Sequence, residues 1–581
     1  MLKRNDTIVL QKMKQYLLPG IMLTAALQIG NVVDSILVGN LLGPEAMSAV
    51  KIGMTVDNIV ELPGYVLGVG GSVAAGIFLG NREVDKARKV FSATLFVSLS
   101  FGLLFALLSI GSGCYARWLC GGSSLVEDAR RFILVTMLIG PIFAAALQMI
   151  NYVAVDNNPT LASAYVITAN LINLCSDYLL LKYTSLGTAG AALSTGLGYG
   201  LALLLMIPYA RSKKRMLAFV DPFHDLKTPI RAAVKAGIPT LLYMIFLTVK
   251  DASLNTMIVK MVGETAMVIY TVCFNSTLCV QLLAGGIVGL LSNMGSVLYG
   301  KRDSFGIRSL IRHLLRYSYI VLGVFMVLML ERPSIFLRFF GITEASTLLP
   351  GMTALRIYTL SLPFYLWNHF MMTYYQSTDK TVLSSLITSL QTCVILVPLG
   401  FLFVLSASAL GVDPLYALIS AFVFNEILTL LITLIYQRIK YKDQSYFMLP
   451  RRDEVTLDFS VRNDPSQLHE AIDLIYEYCG RQKLPKNTAN HLAVVTEEIL
   501  YNIYTFGHAE FADVTVNTDK ASVYLRITDN GIPSDPMEYE GAKAEDQIYG
   551  IKIIKHLAEK IEYLRVIDLN YTMIEISRDL R

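Results

Sequence analysis

Charge is what this sequence has least of. Asp, Glu, Lys and Arg supply 16% of its 581 residues and hydrophobic types supply 54%, against about 25% charged residues in an ordinary soluble chain. A wholly soluble protein is excluded. Cysteine is scarce and scattered: Cys114, Cys120, Cys175, Cys273, Cys279, Cys393 and Cys479 form no CxxC pair and no metal-ligand spacing. That excludes a zinc ribbon and a disulfide-stapled scaffold. It leaves the cysteines as small apolar fillers, with a Cys114 to Cys120 disulfide in one connecting loop as the alternative. The formal net charge of +4 is too small to make nucleic acid a partner. No Ala-x-Ala exit follows the first apolar run, so Lys3, Arg4, Lys12 and Lys14 precede a retained span rather than a cleaved signal peptide.

What is present is hydrophobic length. Up to about Tyr436 the chain falls into about twelve apolar runs of spanning length, centred near Ala26, Leu67, Leu104, Phe143, Leu171, Leu201, Phe246, Leu283, Leu322, Pro363, Val394 and Leu428. Basic residues gather in alternate connections, at Arg82 to Lys89, Arg211 to Arg215, Lys301 to Arg312 and Arg438 to Lys442. The positive-inside rule makes these connections cytosolic, with both termini on that side of the cytoplasmic membrane. The two halves repeat at a constant offset. Pro19, Gly43 and Gly80 recur 220 residues later as Pro239, Gly263 and Gly300. Six spans preserve orientation, so the expected fold is polytopic and α-helical, with parallel six-helix lobes at 1–220 and 221–440. In secondary transporters such repeats enclose a central site.

After Tyr436 the composition changes. A basic linker, 441–453, leads into residues 454–581, which have ordinary charge density and no spanning run. Strand patterns at Val455 to Val461, Asp513 to Asn517, Ser522 to Asp529, Ile561 to Val566 and Thr572 to Ser577 alternate with helical periodicity at Gln467 to Tyr478, Asn490 to Phe506 and Ile551 to Lys560. The class is an α+β sandwich, with helices on one face of a mixed or antiparallel sheet.

Polar residues inside the apolar runs carry the chemistry. Gln28, Asn31, Asp34 and Ser35 share one helix face in the first run. A carboxylate at bilayer depth costs about 2.5 to 3.5 kcal/mol, which marks Asp34 as a candidate for an ion or proton path; the alternative is a helix-packing hydrogen bond. Asn170, Asn173 and Asp177 share a face of the fifth run, and the sixth begins with small residues and the hydroxyls of Ser194 and Thr195. Two carboxylates, an amide and a hydroxyl suit Na⁺ or a shared proton. Asp251 and Asn255, with Thr248, make a rival polar face on the seventh run, and Glu61 beside Pro63 either contributes or lines the cavity mouth.

Asp34-Ser-Ile-Leu-Val-Gly39, the Gly70-Gly71 to Gly80 segment, Asn158-Pro159, Asn173 with Asp177, and Gly190-Ala-Ala-Leu-Ser-Thr195 resemble the multidrug and toxic compound extrusion (MATE) family over about three quarters of the chain. The resemblance implies a cation or proton site in the first lobe at Asp34, Asn173, Asp177 and Thr195, driving export of small organic or cationic cargo. At the 220 offset Asp34, Asn173 and Asp177 become Leu254, Cys393 and Val397, so coupling should be asymmetric.

In the soluble region, Glu497-Glu-Ile-Leu-Tyr-Asn502, Asp529-Asn-Gly531 and Gly550-Ile-Lys resemble the Bergerat-fold (GHKL) ATP-binding domain, of the anti-sigma factor serine kinase type. By that resemblance Glu498 is the general base, Asn502 holds Mg²⁺, Asp529 reads the adenine amino group, and Gly531 and Gly550 let the backbone approach ATP. Ile548 stands where the first glycine of the second glycine box belongs, which bears on phosphate transfer. The expected protein is an H⁺- or Na⁺-coupled antiporter with a cytosolic regulatory nucleotide-binding domain. Two alternatives stand beside it. One is a transporter-like sensor that phosphorylates or sequesters an anti-sigma-antagonist-like partner. The other is an exporter or flippase of a lipid-linked or peptide metabolite, which would make membrane lipid a partner.

Overall fold

The computed structural model describes residues 2–578 except 43, 121–124, 157, 213–214, 224, 276–277, 340–341, 343, 443–445, 450–455, 520, 534 and 536–551; some side chains inside helices are also outside the described set, that of Asp34 among them. The first half of the chain runs through α1 (Thr7–Leu42), α2 (Pro44–Gly80), α3 (Val84–Leu108), α4 (Ser112–Cys120), α5 (Val126–Leu138), α6 (Gly140–Val155), α7 (Pro159–Tyr183), α8 (Thr188–Ala202) and α9 (Ile207–Arg211). The second continues with α10 (Lys227–Met257), α11 (Glu264–Asn275), α12 (Leu278–Leu290), α13 (Ser296–Gly300), α14 (Ser304–Glu331), α15 (Pro333–Phe339), α16 (Ala345–Thr359), α17 (Leu362–Ser377), α18 (Thr381–Ser389), α19 (Leu396–Leu410) and α20 (Pro414–Lys440). Beyond these lie α21 (Pro465–Arg481), α22 (Lys486–Thr505), a short α23 (552–557) and five strands. Contacts divide the chain into two compact units. One gathers Met1–Gln15, Arg302–Ile311 and Leu449–Arg581, and the other Tyr16–Lys301 and Arg312–Met448.

The larger unit is helical. Among the described residues eight helices are long and apolar enough to cross a membrane, and the pair α5 and α6, bent by 55°, makes a ninth. Three of the twelve apolar runs do not pass that test. The first and eighth contain residues outside the described set, and the tenth is broken between α16 and α17 at Leu360 and Ser361. Several helices start where the local chemistry dictates. Pro159 and Pro414 occupy the first turn, where a missing N–H costs nothing, and the Asp413 carboxylate accepts from Leu415 N at 2.8 Å. Cys114 and Cys120 lie on α4 as free thiols rather than in a loop, so the disulfide alternative is not realised.

The 220-residue repeat is visible as reciprocal backbone contact. A Cβ on Gly80 would sit 2.3 Å from the Val297 carbonyl oxygen and 2.8 Å from the Gly300 Cα; one on Gly300 would sit 2.3 Å from the Ile77 carbonyl oxygen and 2.8 Å from the Gly80 Cα. Val297 is the repeat partner of Ile77, so each lobe offers the other the same atoms, as a two-fold axis requires. Only glycine permits that approach. The pairs Gly286 with Leu17 and Gly237 with Val66 are exchanged by the same offset.

The smaller unit is built on an all-antiparallel sheet in the order β1-β2-β3-β5-β4, with β1 (Leu457–Arg462), β2 (Phe511–Thr518), β3 (Ser522–Asp529), β4 (Lys560–Val566) and β5 (Leu569–Ser577). Alternation sends Phe459, Val461, Val514, Val516, Leu525 and Ile574 into one core with the apolar faces of α21 and α22. The expected strands are all present within two or three residues. The other face of β1 and β2 is polar, and there the chain's first residues join the sheet. Arg4 is buried between Asp303 (3.3 Å), Asp458 (3.2 Å) and Asp513 (2.9 Å), while Asn5 N donates to Ser460 Oγ at 3.0 Å. Burial works against the Arg4 charge, but the three carboxylates outweigh it and raise its pKa. A unit read as starting at residue 454 therefore omits the cation that neutralises Asp513, itself 2% exposed.

Removing one member of a buried ion cluster strands the others. Arg4→Ala in the full-length protein is expected to destabilise the smaller unit by about 3 to 5 kcal/mol, read as faster amide hydrogen exchange in β1 and β2. Unchanged exchange there would contradict this reading of Arg4.

Candidate functional site

In the helical unit the residues expected from the fifth and sixth runs do meet. α7 and α8 are joined by a tight connection in which Gly187 takes φ +56°, a conformation that favours glycine. The helices then pack along the face carrying Asn173 and Asp177, which are 5% and 1% exposed. Asn173 Nδ2 donates to Ser194 Oγ and to Thr195 Oγ1, each at 3.3 Å, and Ser194 Oγ donates in turn to Asp177 Oδ1. Thr195 Oγ1 donates to the Ala191 carbonyl at 3.2 Å, and the same carbonyl lies 2.7 Å from Ser194 Oγ as the alternative acceptor for its single hydrogen. The result is a buried carboxylate held by a hydroxyl that an amide supports, a set of oxygens able to take up a proton or a hard cation. Ser194 is the direct partner of Asp177, one position from the expected Thr195. Asn170 lies on the same face of α7 and is half-buried. Asp34 lies in α1, and its side chain is outside the described residues.

The rival face on the seventh run is occupied differently. Asp251 pairs with Lys250 Nζ at 3.0 Å, Lys250 lies 5.1 Å from the Phe274 ring centroid, and Asn255 is exposed. An acid already neutralised by an adjacent lysine is a weaker candidate for exchanging an ion. Glu61 sits in α2 one turn after Asp57, so the two carboxylates share a helix face. Sequence reasoning missed Glu426, a buried acid in the last span. Its signal was the one that marked Asp34: a carboxylate inside an apolar run.

In the smaller unit, Glu498 and Asn502 lie one turn apart on α22 and are both half-buried. Burial, then the neighbouring Glu497, raises the Glu498 pKa, the direction that suits a general base. Asp529 ends β3 and is 2% exposed. Its Oδ1 accepts from Gly531 N at 2.9 Å and Asn570 Nδ2 at 2.8 Å, while among the described residues no donor reaches Oδ2. Asn570 is held in turn by Arg565 Nη1 at 2.7 Å and the Tyr563 hydroxyl at 2.8 Å. None of these three was legible beforehand, because β5 and β4 reach Asp529 only through sheet pairing. Burial pushes the Asp529 pKa up to about 6, opposed by Asn570, Gly531 and Arg565.

The close approach visible at Gly531 is to Gly507. A Cβ on Gly531 would lie 2.4 Å from the Gly507 carbonyl oxygen, which accepts from Ile532 N at 2.8 Å. Gly550 and Ile548 lie outside the described residues. An ATP base fits the unengaged Asp529 Oδ2 with its amino group. For Mg²⁺, which needs few protein ligands beside phosphate oxygens and water, the Asn502 side-chain oxygen suffices. Among the described residues no cluster of three His, Cys, Asp or Glu forms a metal site. The amino terminus borders this site within the unit: Asn530 Nδ2 donates to Gln11 Oε1 at 2.9 Å, and Lys12 lies 3.7 Å from Asp568.

An amino group needs the ionised Asp529 as its acceptor, so nucleotide affinity is expected to fall as pH drops. Thermal-shift titration of the full-length protein with Mg-ATP should give a constant affinity above about pH 7 and a weakening of up to tenfold per unit below about pH 6. A flat profile would remove Asp529 from base recognition.

Comparison with known proteins places each unit. The MatE family model matches residues 19–179, and the histidine kinase-like ATPase domain matches residues 461–577. "Multidrug export protein MepA" of Staphylococcus haemolyticus is 22% identical over 294 residues, covering 50% of this chain and 65% of that protein. "Probable multidrug resistance protein YpnP" of Bacillus subtilis is 26% identical over 246 residues, 41% of this chain and 54% of its own length. The matches thus span less than two thirds of either relative. Among solved structures, one described as the outward-facing conformation of a multidrug resistance MATE family transporter superposes with a TM-score of 0.65 at 17% identity, covering 74% of this chain and 95% of that one.

Proposed function

From a multi-pass chain that joins a MATE transporter domain to a histidine kinase-like ATPase domain, we propose an ion-coupled exporter of small organic or cationic compounds whose nucleotide-binding domain regulates transport from the cytosolic side. The observation that carries the reading is the buried Asp177–Ser194–Asn173 chain in the middle of an otherwise apolar helix pair. Nothing in a packing interface requires an acid there. Asp177, with Asp34 and Thr195, takes up H⁺ or Na⁺ and thereby biases the alternating-access equilibrium between lobes 1–220 and 221–440. One charge moved through 100 mV supplies about 2.3 kcal/mol, roughly a fiftyfold gradient of neutral cargo. The names of the relatives support export of drug-like cargo, and the absence of a matching acid in the second lobe supports coupling through the first.

In the smaller unit, bound ATP supplies a phosphoanhydride whose occupancy or hydrolysis the domain senses. Asp529 holds the base, Asn502 holds Mg²⁺, and Glu498 orients and deprotonates the attacking group.

Asp177→Asn and Asp34→Asn, in protein inserted at normal levels, are expected each to reduce ion-driven efflux of a lipophilic cationic dye from proteoliposomes by about a hundredfold, while dye binding persists. Full coupled transport in both variants would overturn the coupling site. Imposing pH and Na⁺ gradients separately identifies the ion. Glu498→Ala is expected to leave Mg-ATP binding intact and abolish its hydrolysis or transfer; unchanged turnover would exclude Glu498 as the base.

A further inference from the structure

The last span carries an acid that neither the comparisons nor the first-lobe site accounts for. Glu426 on α20 is 6% exposed, and its Oε2 accepts from Asn368 Nδ2 of α17 at 2.8 Å and from Gln391 Nε2 at 3.0 Å. The amide orientations are fixed independently of the acid. Asn368 Nδ2 also donates to the Glu426 carbonyl at 2.9 Å, and Gln391 Nε2 lies 3.4 Å from the Tyr365 carbonyl. Gln391 belongs to a single π-helical turn, Leu390–Val394, set between α18 and α19, and its carbonyl accepts from Asn425 Nδ2 at 2.9 Å. Such turns tend to mark functional positions because they cost helix geometry. Three helical elements therefore converge on one carboxyl.

The hydrogen-bond inventory around it is unbalanced in one direction. Two amide donors meet Oε2, and the Asn425 side chain also lies in hydrogen-bonding reach of the carboxyl. On the same helix Asn425 Oδ1 and Thr429 Oγ1 are buried and have no partner. Buried acceptors without donors are rare. Asn425 stands beside the carboxyl, and Thr429 follows one turn on. Thr429 Oγ1 carries a hydrogen of its own, whereas Asn425 Oδ1 only accepts, and a proton on the carboxyl is the kind of donor such an acceptor lacks.

We propose that Glu426 is a proton-binding site in the second lobe, its carboxylate taking up one H⁺ and releasing it in the transport cycle, with Asn368 and Gln391 holding Oε2 in both states. This rests on the transporter reading above and adds a second titrating group to it. Among the described residues the surroundings hold no cation that would keep the carboxylate permanently ionised. Tyr358 of α16 faces it, as do Tyr365 of α17, with His369 stacked on Tyr365 at 5.8 Å, and Phe422 of the same helix in contact with Tyr270 of α11. Lys250 of α10 faces Cys393 of the π turn and is already paired with Asp251. α18 and α19 contribute no titratable side chain. The charged form is thus held by amides alone, which permits exchange where a salt bridge would prevent it.

The test separates proton binding from transport. Full-length protein in lipid is titrated while the infrared carbonyl stretch of protonated carboxyls is recorded, for the parent, Glu426→Gln and Asp177→Asn. The expected result is loss of one titrating band in Glu426→Gln that Asp177→Asn retains, together with a fall of about tenfold or more in proton-driven dye efflux for Glu426→Gln. Gln conserves the size and amide-facing oxygen, and Glu426→Asp should restore part of the band at a shifted position. If Glu426→Gln and the parent titrate identically, the proposal is overturned. It is also overturned if Na⁺ at constant pH abolishes the band, since the ligand is then a metal cation. If the band behaves as expected but neither protein moves dye along a proton gradient, the site stands and the export reading fails.

Discussion

A charged or hydrogen-bonding group taken out of water must find its partner inside the protein, and this one constraint organises both units. In the helical unit it dictates that Asp177 meets Ser194, that Lys250 meets Asp251, and that Glu426 meets two amides. In the smaller unit it dictates that a basic residue at the start of the chain lies between three aspartates. The arrangements differ in how completely they are neutralised. Arg4 is over-supplied with carboxylates and Asp251 has its own lysine, so both are structural locks. Among the described residues Glu426 is held by neutral amides, and a neutral cage tolerates either protonation state in a way that a salt bridge does not.

The internal repeat shows which features duplication preserves. Backbone contacts are preserved: Gly80 and Gly300 reproduce one another through the same offset because the two-fold crossing leaves no room for a Cβ. Polar chemistry is not. Asp177 becomes Val397 in the second lobe, and Glu426 corresponds to Met206 in the first. Each lobe keeps a buried acid, but on a different helix with different partners. The helical unit thus retains the symmetry of its backbone crossing and gives up the symmetry of its buried polar groups.

Much of this was legible beforehand. Strand patterns in residues 454–581 read directly because β-alternation is local. The fifth- and sixth-run cluster read because Asn173 and Asp177 lie one turn apart, so helix geometry alone puts them on one face. Glu426 was not singled out, although it is an acid in an apolar run, because its importance lies in Asn368 and Gln391, which are 58 and 35 residues away. Arg4 read as part of a basic flank, the usual function of such residues near a first span. Its partners at Asp458 and Asp513 are separated from it by the whole helical unit in sequence.

The sequence by itself determined the spans, the repeat, the appended α+β domain and the residues whose partners are a helical turn away, since hydrophobic length and periodicity are properties of neighbouring residues. Only the tertiary structure decided which charged groups meet an opposite charge and which meet neutral donors. That distinction depends on what distant helices and strands bring to a charged group: three carboxylates to Arg4, a hydroxyl to Asp177, and two amides to Glu426.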